Sequence, residues 1–169
     1  MEELKNRKTP RAQDFNYNST GAYFITICTQ DRRCMLSRIV GTGVPDCPLV
    51  ELTQYGKTAE NVLKQLDEFY DHISVDSYVI MPNHIHMLLI IKENGQSRTP
   101  VPTIISKSNT TFSKFISTFK RFCNREYGFN IWQSRAYDHI IRNREDYLKH
   151  LQYIHENPIR WYFDELFTD

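Results

Sequence analysis

The chain has 169 residues, 40% of them apolar and 13% aromatic, with a formal net charge of +1. That length and apolar content fit one packed domain and exclude a disordered chain, and no apolar run is long enough to span a bilayer, so no membrane partner is expected. The near-neutral balance leaves nucleic acid open without favouring it, because basic groups can still be gathered on one face.

The first residues, Met1 to Lys8, are charged, and residues 1–21 read as a mobile basic arm that includes Arg11. Residues 22–169 read as a single domain. Nothing near the N-terminus resembles a secretion signal, and Cys28, Cys34, Cys47 and Cys123 form no C-x-x-C pair. Reduced thiols in a cytoplasmic protein are the expectation.

After the turn residues Asn18 to Gly21, the run Ala22 to Thr29 is rich in β-branched and aromatic residues and predicts the first strand. Gly41 to Pro48 reads as loop. Leu52, Tyr55, Ala59, Val62, Leu66 and Phe69 then recur at alternating spacings of three and four, the stripe of an amphipathic helix.

Ile73 to Met81 predicts a second strand, Pro82-Asn83 breaks it, and His84 to Ile91 returns as the third. Side chains alternate along a strand, so His84 and His86 share one face while Ile85 enters the opposite layer. Two adjacent imidazoles make half of a metal site. Spacing alone does not separate that reading from two half-exposed strand histidines.

Lys92 to Thr110 is long, polar and interrupted by Gly95, Pro100 and Pro102, which suggests a mobile functional loop. Thr111 to Tyr127 predicts the second helix, closed by Gly128. Its apolar arc carries Phe112, Phe115, Ile116, Phe119, Phe122 and Cys123, and Lys114, Arg121 and Arg125 fall together on the other arc. That stripe is either a solvated face or a track for phosphates.

Ile131 to Ile141 reads as a last strand with irregular edges, and Asn143 as the cap of a last helix that runs to about Glu156 before Pro158. The order is β-α-β-β-α-β-α. This is an α+β chain, a ferredoxin-like βαββαβ antiparallel sheet with an additional C-terminal helix.

On that helix Tyr153 falls among polar residues. Asn157 lies one turn on, Asp146 two turns back, and Lys149 and His150 at its sides, whereas Tyr147, Leu148, Leu151 and Ile154 fall on the apolar side. A phenol can attack phosphorus covalently, and at an ordinary pKa of about 10 it needs a base, a cation or a metal-bound substrate to do so. A divalent ion on His84, His86 and the Asn157 carbonyl oxygen would polarise the phosphate and steady the leaving oxygen. Tyr137, followed by Asp138 and His139, is the rival nucleophile; Tyr153 is preferred because its own helix also offers Asn157.

The ordered blocks PNHIHMLL, IWQSRAYDHIIRNREDY and YIHENP resemble the REP-associated tyrosine transposases, a branch of the HUH single-strand DNA transposases, over roughly Tyr23 to Trp161. The resemblance implies that His84 and His86 are the metal-binding pair, that Asn157 completes the metal site, and that Tyr153 is the nucleophile. It further implies a single-stranded DNA endonuclease and strand transferase acting at hairpin-forming palindromic repeats. Such enzymes form a 5′-phosphotyrosine, release a 3′-hydroxyl and use Mg²⁺ or Mn²⁺. Lys114, Arg121, Arg125, Arg142 and Arg11 are the expected DNA contacts. Some single-strand transposases pair and share active sites while some members of this branch act alone, so a homodimer and a monomer both stay open. The competing readings are a catalytically silent module that binds hairpin DNA or RNA, and a metal-dependent hydrolase of small phosphoesters.

Overall fold

A computed structural model describes residues 20–41, 48–92 and 111–167. The N-terminal arm with Arg11 lies outside the described residues, as do residues 93–110 of the expected polar loop and residues 42–47 of the expected Gly41–Pro48 loop.

The six expected core elements form in the expected order. Four strands make one antiparallel sheet: β1 (Gly21–Cys28), β4 (Ile73–Ile80), β5 (His84–Ile91) and β6 (Tyr137–Ile141), arranged β4-β5-β1-β6. The connecting helices are α1 (Gln54–Phe69) and α2 (Thr111–Tyr127). Gly128 ends α2 at φ +78, a left-handed conformation that glycine adopts without a Cβ penalty.

The strand alternation sorts side chains cleanly between the two faces. Tyr23, Ile25, Ile27, Ile85, Met87, Leu89 and Ile91 join Leu63, Leu66, Phe112, Phe115 and Phe119 in the main core beneath α1 and α2. On the opposite face, Phe24 and Leu88 meet Ile154 of α3 (Arg144–Glu156). The same alternation leaves His84 and His86 pointing toward α3, with Ile85 between them in the main core.

Two local features depart from the sequence reading. A hairpin of β2 (Ser37–Val40) and β3 (Leu49–Leu52) precedes α1 and was not expected. Its strands are four residues long and half-exposed, too short to show a hydrophobic period. At its end α1 packs so closely that a Cβ on Gly56 would strike the backbone carbonyl of Leu36. The last strand is also shorter than Ile131 to Ile141. Trp132 makes only an isolated bridge to Thr29, and Lys120 Nζ draws the carbonyls of Gln133, Ser134 and Arg135 away from the sheet.

Asn143 caps α3 as expected, its side chain accepting the Asp146 N–H at 2.9 Å. Tyr147 packs against the Phe24–Leu88–Ile154 cluster, with its hydroxyl on Asp76. Leu148 does not join it: the side chain is 49% exposed, because α3 lays only a narrow stripe on the sheet. Beyond α3, a short 3-10 turn at Trp161–Phe163 leads the chain back across the histidine face.

Candidate active site

The local hydrogen bonds determine which nitrogen each histidine presents. Asn83 Nδ2 donates to the Leu166 carbonyl at 2.7 Å, so its Oδ1 is the atom facing His84. His84 Nδ1 lies 2.8 Å from that oxygen and must carry the proton. His86 Nδ1 is held by the Thr26 hydroxyl at 2.8 Å. Both rings are therefore anchored through Nδ1 and turn Nε2 toward α3.

Those two Nε2 atoms are buried without a hydrogen-bond partner, and so is Asn157 Oδ1. A buried polar atom without a partner costs roughly 1–3 kcal/mol, so three gathered in one place call for an explanation. Burial pulls the His84 pKa down to about 4, against the Asp164 charge and an Asn157 contact that favour the proton. Burial also holds His86 well below its usual range, helped by His84 and His150. Neutral imidazoles with free Nε2 lone pairs and an amide oxygen form a donor set that fits a divalent cation. Fixing each ring through a hydrogen bond at its other nitrogen is a common arrangement around such ions.

Tyr153 lies over the same face. Its ring centroid is 5.2 Å from that of His86 and 5.9 Å from that of Phe24, which also stacks on His86 at 5.1 Å and touches His150 at 4.7 Å. The phenol is 37% exposed. Its hydroxyl donates to Asp164 Oδ2 at 3.2 Å, and Asn157 Nδ2 donates to the same oxygen at 2.9 Å. Burial pushes the Tyr153 pKa up to about 12, and the Asp164 carboxylate adds to that. The nucleophile expected from the sequence is thus protonated and requires help to ionise.

A cleft of about 680 Å³ opens here, lined among others by Thr26, Tyr137, Lys149, His150, Tyr153 and Arg160. The rival tyrosine, Tyr137, is 56% exposed on its wall but neighbours Thr26 rather than the histidine pair. Asp146 ties His139 and His150 together at 3.0 and 3.2 Å, which fixes the start of α3 against β6.

The structure brings His84, His86, Tyr153 and Asn157 together. It does not bring the basic stripe with them. Lys114, Arg121 and Arg125 are exposed on α2, in the layer across the sheet, and Arg125 is engaged by Glu126 and the Phe122 ring. Arg142 is exposed beside the α3 cap. The residue that sequence reasoning missed is Asp164. One ligand atom from each of His84, His86 and Asp164 lies within 4.8 Å of the others. Nothing in the local sequence marks that aspartate, because only the fold-back after α3 delivers it to the site.

No protein-family model matches the chain. A Haemophilus influenzae protein named as a putative REP-associated tyrosine transposase is 30% identical over 162 residues, covering 91% of this chain and 79% of its own length. This chain belongs to the REP-associated tyrosine transposase family. The Escherichia coli K12 REP-associated tyrosine transposase is 24% identical over 145 residues, covering 85% of this chain and 70% of its own. An uncharacterized H. influenzae protein is 30% identical over 179 residues and is matched along 96% of its length. Among solved structures, a REP-associated tyrosine transposase bound to a REP hairpin superposes with a TM-score of 0.62 at 22% identity, covering 89% of this chain and 74% of that one. The transposase fold is therefore common to both. Among the described residues, no helix is long and apolar enough to cross a membrane.

Proposed function

We propose that this transposase-family chain is a metal-dependent single-stranded DNA endonuclease and strand transferase that acts beside hairpin-forming palindromic repeats through a 5′-phosphotyrosine at Tyr153. The observation that carries the reading is one arrangement: three unpartnered ligand atoms, on His84, His86 and Asn157, beneath a tyrosine whose ring sits 5.2 Å from His86.

His84, His86 and Asn157 would hold Mg²⁺ or Mn²⁺. The ion supplies Lewis-acid polarisation of the scissile phosphate and stabilises charge on the leaving oxygen. Tyr153 supplies the nucleophile: its oxygen bonds to phosphorus, the bond from phosphorus to the 3′-oxygen breaks, the phenol loses its proton and the 3′-oxygen gains one. Phe24, packed under Tyr153, His86 and His150, fixes the phenol over the histidine face. Strand joining is the same exchange in reverse, with the phosphodiester energy kept in the tyrosyl link.

Lys149 and Arg160 line the cleft and Arg142 borders its helix, a short basic path for a phosphate backbone. Lys114, Arg121 and Arg125, on the far layer, and Arg11 in the N-terminal arm belong to this reading as remote contacts to the hairpin. The substrate is intracellular DNA, so the reading includes a cytoplasmic protein.

The test is a denaturing gel of protein incubated with a hairpin-bearing single strand and Mn²⁺. A covalent protein–DNA adduct is expected, and Tyr153→Phe is expected to remove it. A silent hairpin-binding module is the second reading, favoured by the Tyr153 hydrogen bond to Asp164. Under that reading, binding survives EDTA and no metal produces an adduct.

A further inference from the structure

We propose that Asp164, on the segment that folds back after α3, is a fourth protein ligand of the metal centre and sets its preference for a hard divalent ion. The inference rests on the metal reading of His84, His86 and Asn157 given above, and adds a ligand that lies outside the motif carrying them.

Three lines of geometry support it. First, the carboxylate is within reach. Its oxygen and one nitrogen of each histidine lie within 4.8 Å of one another. Bonds of about 2.0–2.2 Å to one ion separate ligand atoms by roughly 3–4 Å, so modest side-chain rotation closes the set.

Second, the segment is built into the site. Trp161 is buried with its ring 5.9 Å from His84, and Phe167 packs on Trp161 at 5.2 Å. Arg32 Nη1 donates to the Glu165 carbonyl at 3.0 Å. Asn83 donates to the Leu166 carbonyl while its own oxygen accepts from His84 Nδ1, so one asparagine both orients a metal-facing histidine and pins the segment that carries Asp164. Within the segment, the Leu166 N–H donates to Asp164 Oδ1 at 2.7 Å and leaves Oδ2 toward Asn157 and Tyr153.

Third, the donor chemistry favours it. Two neutral imidazoles and an amide form a set that suits Zn²⁺ or Ni²⁺ at least as well as Mn²⁺, whereas an anionic oxygen ligand moves the preference toward Mn²⁺ and Mg²⁺. Asp164 is the one acid in the group around the histidine pair. The oxygen that would bind the ion is also the one that holds the Tyr153 hydroxyl, which links metal and nucleophile through a single carboxylate.

The experiment titrates Mn²⁺ and, separately, Ni²⁺ into the full chain by isothermal calorimetry, for the native protein, Asp164→Asn, Asp164→Glu and His84→Ala. Asp164→Asn is expected to weaken Mn²⁺ by at least about tenfold and Ni²⁺ by clearly less. Asp164→Glu, which keeps the carboxylate, is expected to retain the native ratio of the two affinities. The ratio is read on whatever fraction is folded, so lowered stability does not mimic the result. Equal losses for both ions in Asp164→Asn, or a lost preference in Asp164→Glu as well, overturn the proposal. Native Mn²⁺ affinity in Asp164→Asn alongside lost affinity in His84→Ala overturns it while leaving the histidine centre standing. Native affinity in His84→Ala as well removes the metal reading beneath it.

Discussion

The two faces of the central sheet are built from the same strands and obey opposite rules. Beneath α1 and α2, β1 and β5 contribute Tyr23, Ile25, Ile27, Ile85, Met87 and Leu89, all fully buried in one apolar core. On the α3 face the same two strands offer Phe24 and Leu88 to a small cluster, and then Thr26 and His86 to a cleft, with His84 buried beside His86. One face is packed from apolar side chains, with the Trp132 Nε1 buried among them. The other buries nitrogens without partners and a phenol held off its usual pKa. A step of one residue along β5 crosses between them, so stability and chemistry share a strand and remain separable by substitution. Mutations chosen on each face should therefore give different readouts.

The largest effect is expected on the open face. Tyr153→Phe should abolish the covalent adduct while changing stability by no more than about 1 kcal/mol, the worth of an ordinary hydrogen bond. Adduct formation monitored on a denaturing gel, beside a thermal melt, separates the two. An adduct in Tyr153→Phe that disappears in Tyr137→Phe would move the nucleophile to the cleft wall.

On the closed face the expectation reverses. Phe119 is fully buried and packs on Trp132 at 5.5 Å. Phe119→Ala should cost about 3–5 kcal/mol of stability through lost burial and the cavity left behind. Denaturant unfolding measures the loss. In the fraction that remains folded, Mn²⁺ affinity should match the native protein. A matching loss of metal affinity would show that the core and the site are coupled through the sheet.

A third expectation concerns pH in the metal-free protein. His84 is neutral when folded, with its pKa drawn to about 4 by burial, against an ordinary value near 6.5. Between those values the unfolded chain takes up a proton that the folded chain refuses, so stability is complete above about pH 6.5 and falls as the pH drops toward 4. At pH 5 the loss from His84 comes to about 2 kcal/mol. His86 shifts in the same direction and adds to it, while Asp164 opposes and the Arg32 charge reinforces the His84 shift. Urea melts in EDTA at pH 7.5 and 5.0 should show the slope, and His84→Ala should flatten part of it. An unchanged native profile would mean that the imidazoles are hydrated rather than buried.

The contrast between the faces also explains what could be read from sequence. Periodicity gave the sheet, α1 and α2, because each helix buries a regular apolar stripe: Val62, Leu63 and Leu66 in α1, Phe112, Phe115 and Phe119 in α2; α3 was legible from its Asn143 cap and the Pro158 stop. His84 and His86 were legible as a pair because strand alternation is strict, and Tyr153 and Asn157 because one helical turn separates them. The β2–β3 hairpin was not, since four half-exposed residues per strand carry no period. Asp164 was hidden for a different reason. Its position depends on the Leu166 carbonyl meeting Asn83 and on Trp161 settling beside His84, contacts between distant segments that leave no local pattern. The α2 stripe shows the converse: Lys114, Arg121 and Arg125 are a regular pattern that the fold sets on the far side of the sheet from the cleft.

The smallest effect should come from helix caps, one on each face. Thr53 caps α1 by accepting the Gly56 N–H at 3.2 Å, and Asn143 caps α3 by accepting the Asp146 N–H at 2.9 Å. Replacing either with alanine should cost about 1 kcal/mol. The consequences should still differ. α1 buries five residues, including Val62, Leu63 and Leu66, whereas α3 buries only Ile154. A helix held by one buried side chain moves more when its first turn loosens, and α3 carries both Tyr153 and Asn157. Asp146 also depends on that turn to clamp His139 and His150. Asn143→Ala should therefore slow adduct formation at unchanged temperature, while Thr53→Ala lowers the melting point alone. Equal adduct rates in the two variants would mean that the Phe24–Leu88–Ile154 cluster by itself holds α3 in register with the histidine pair.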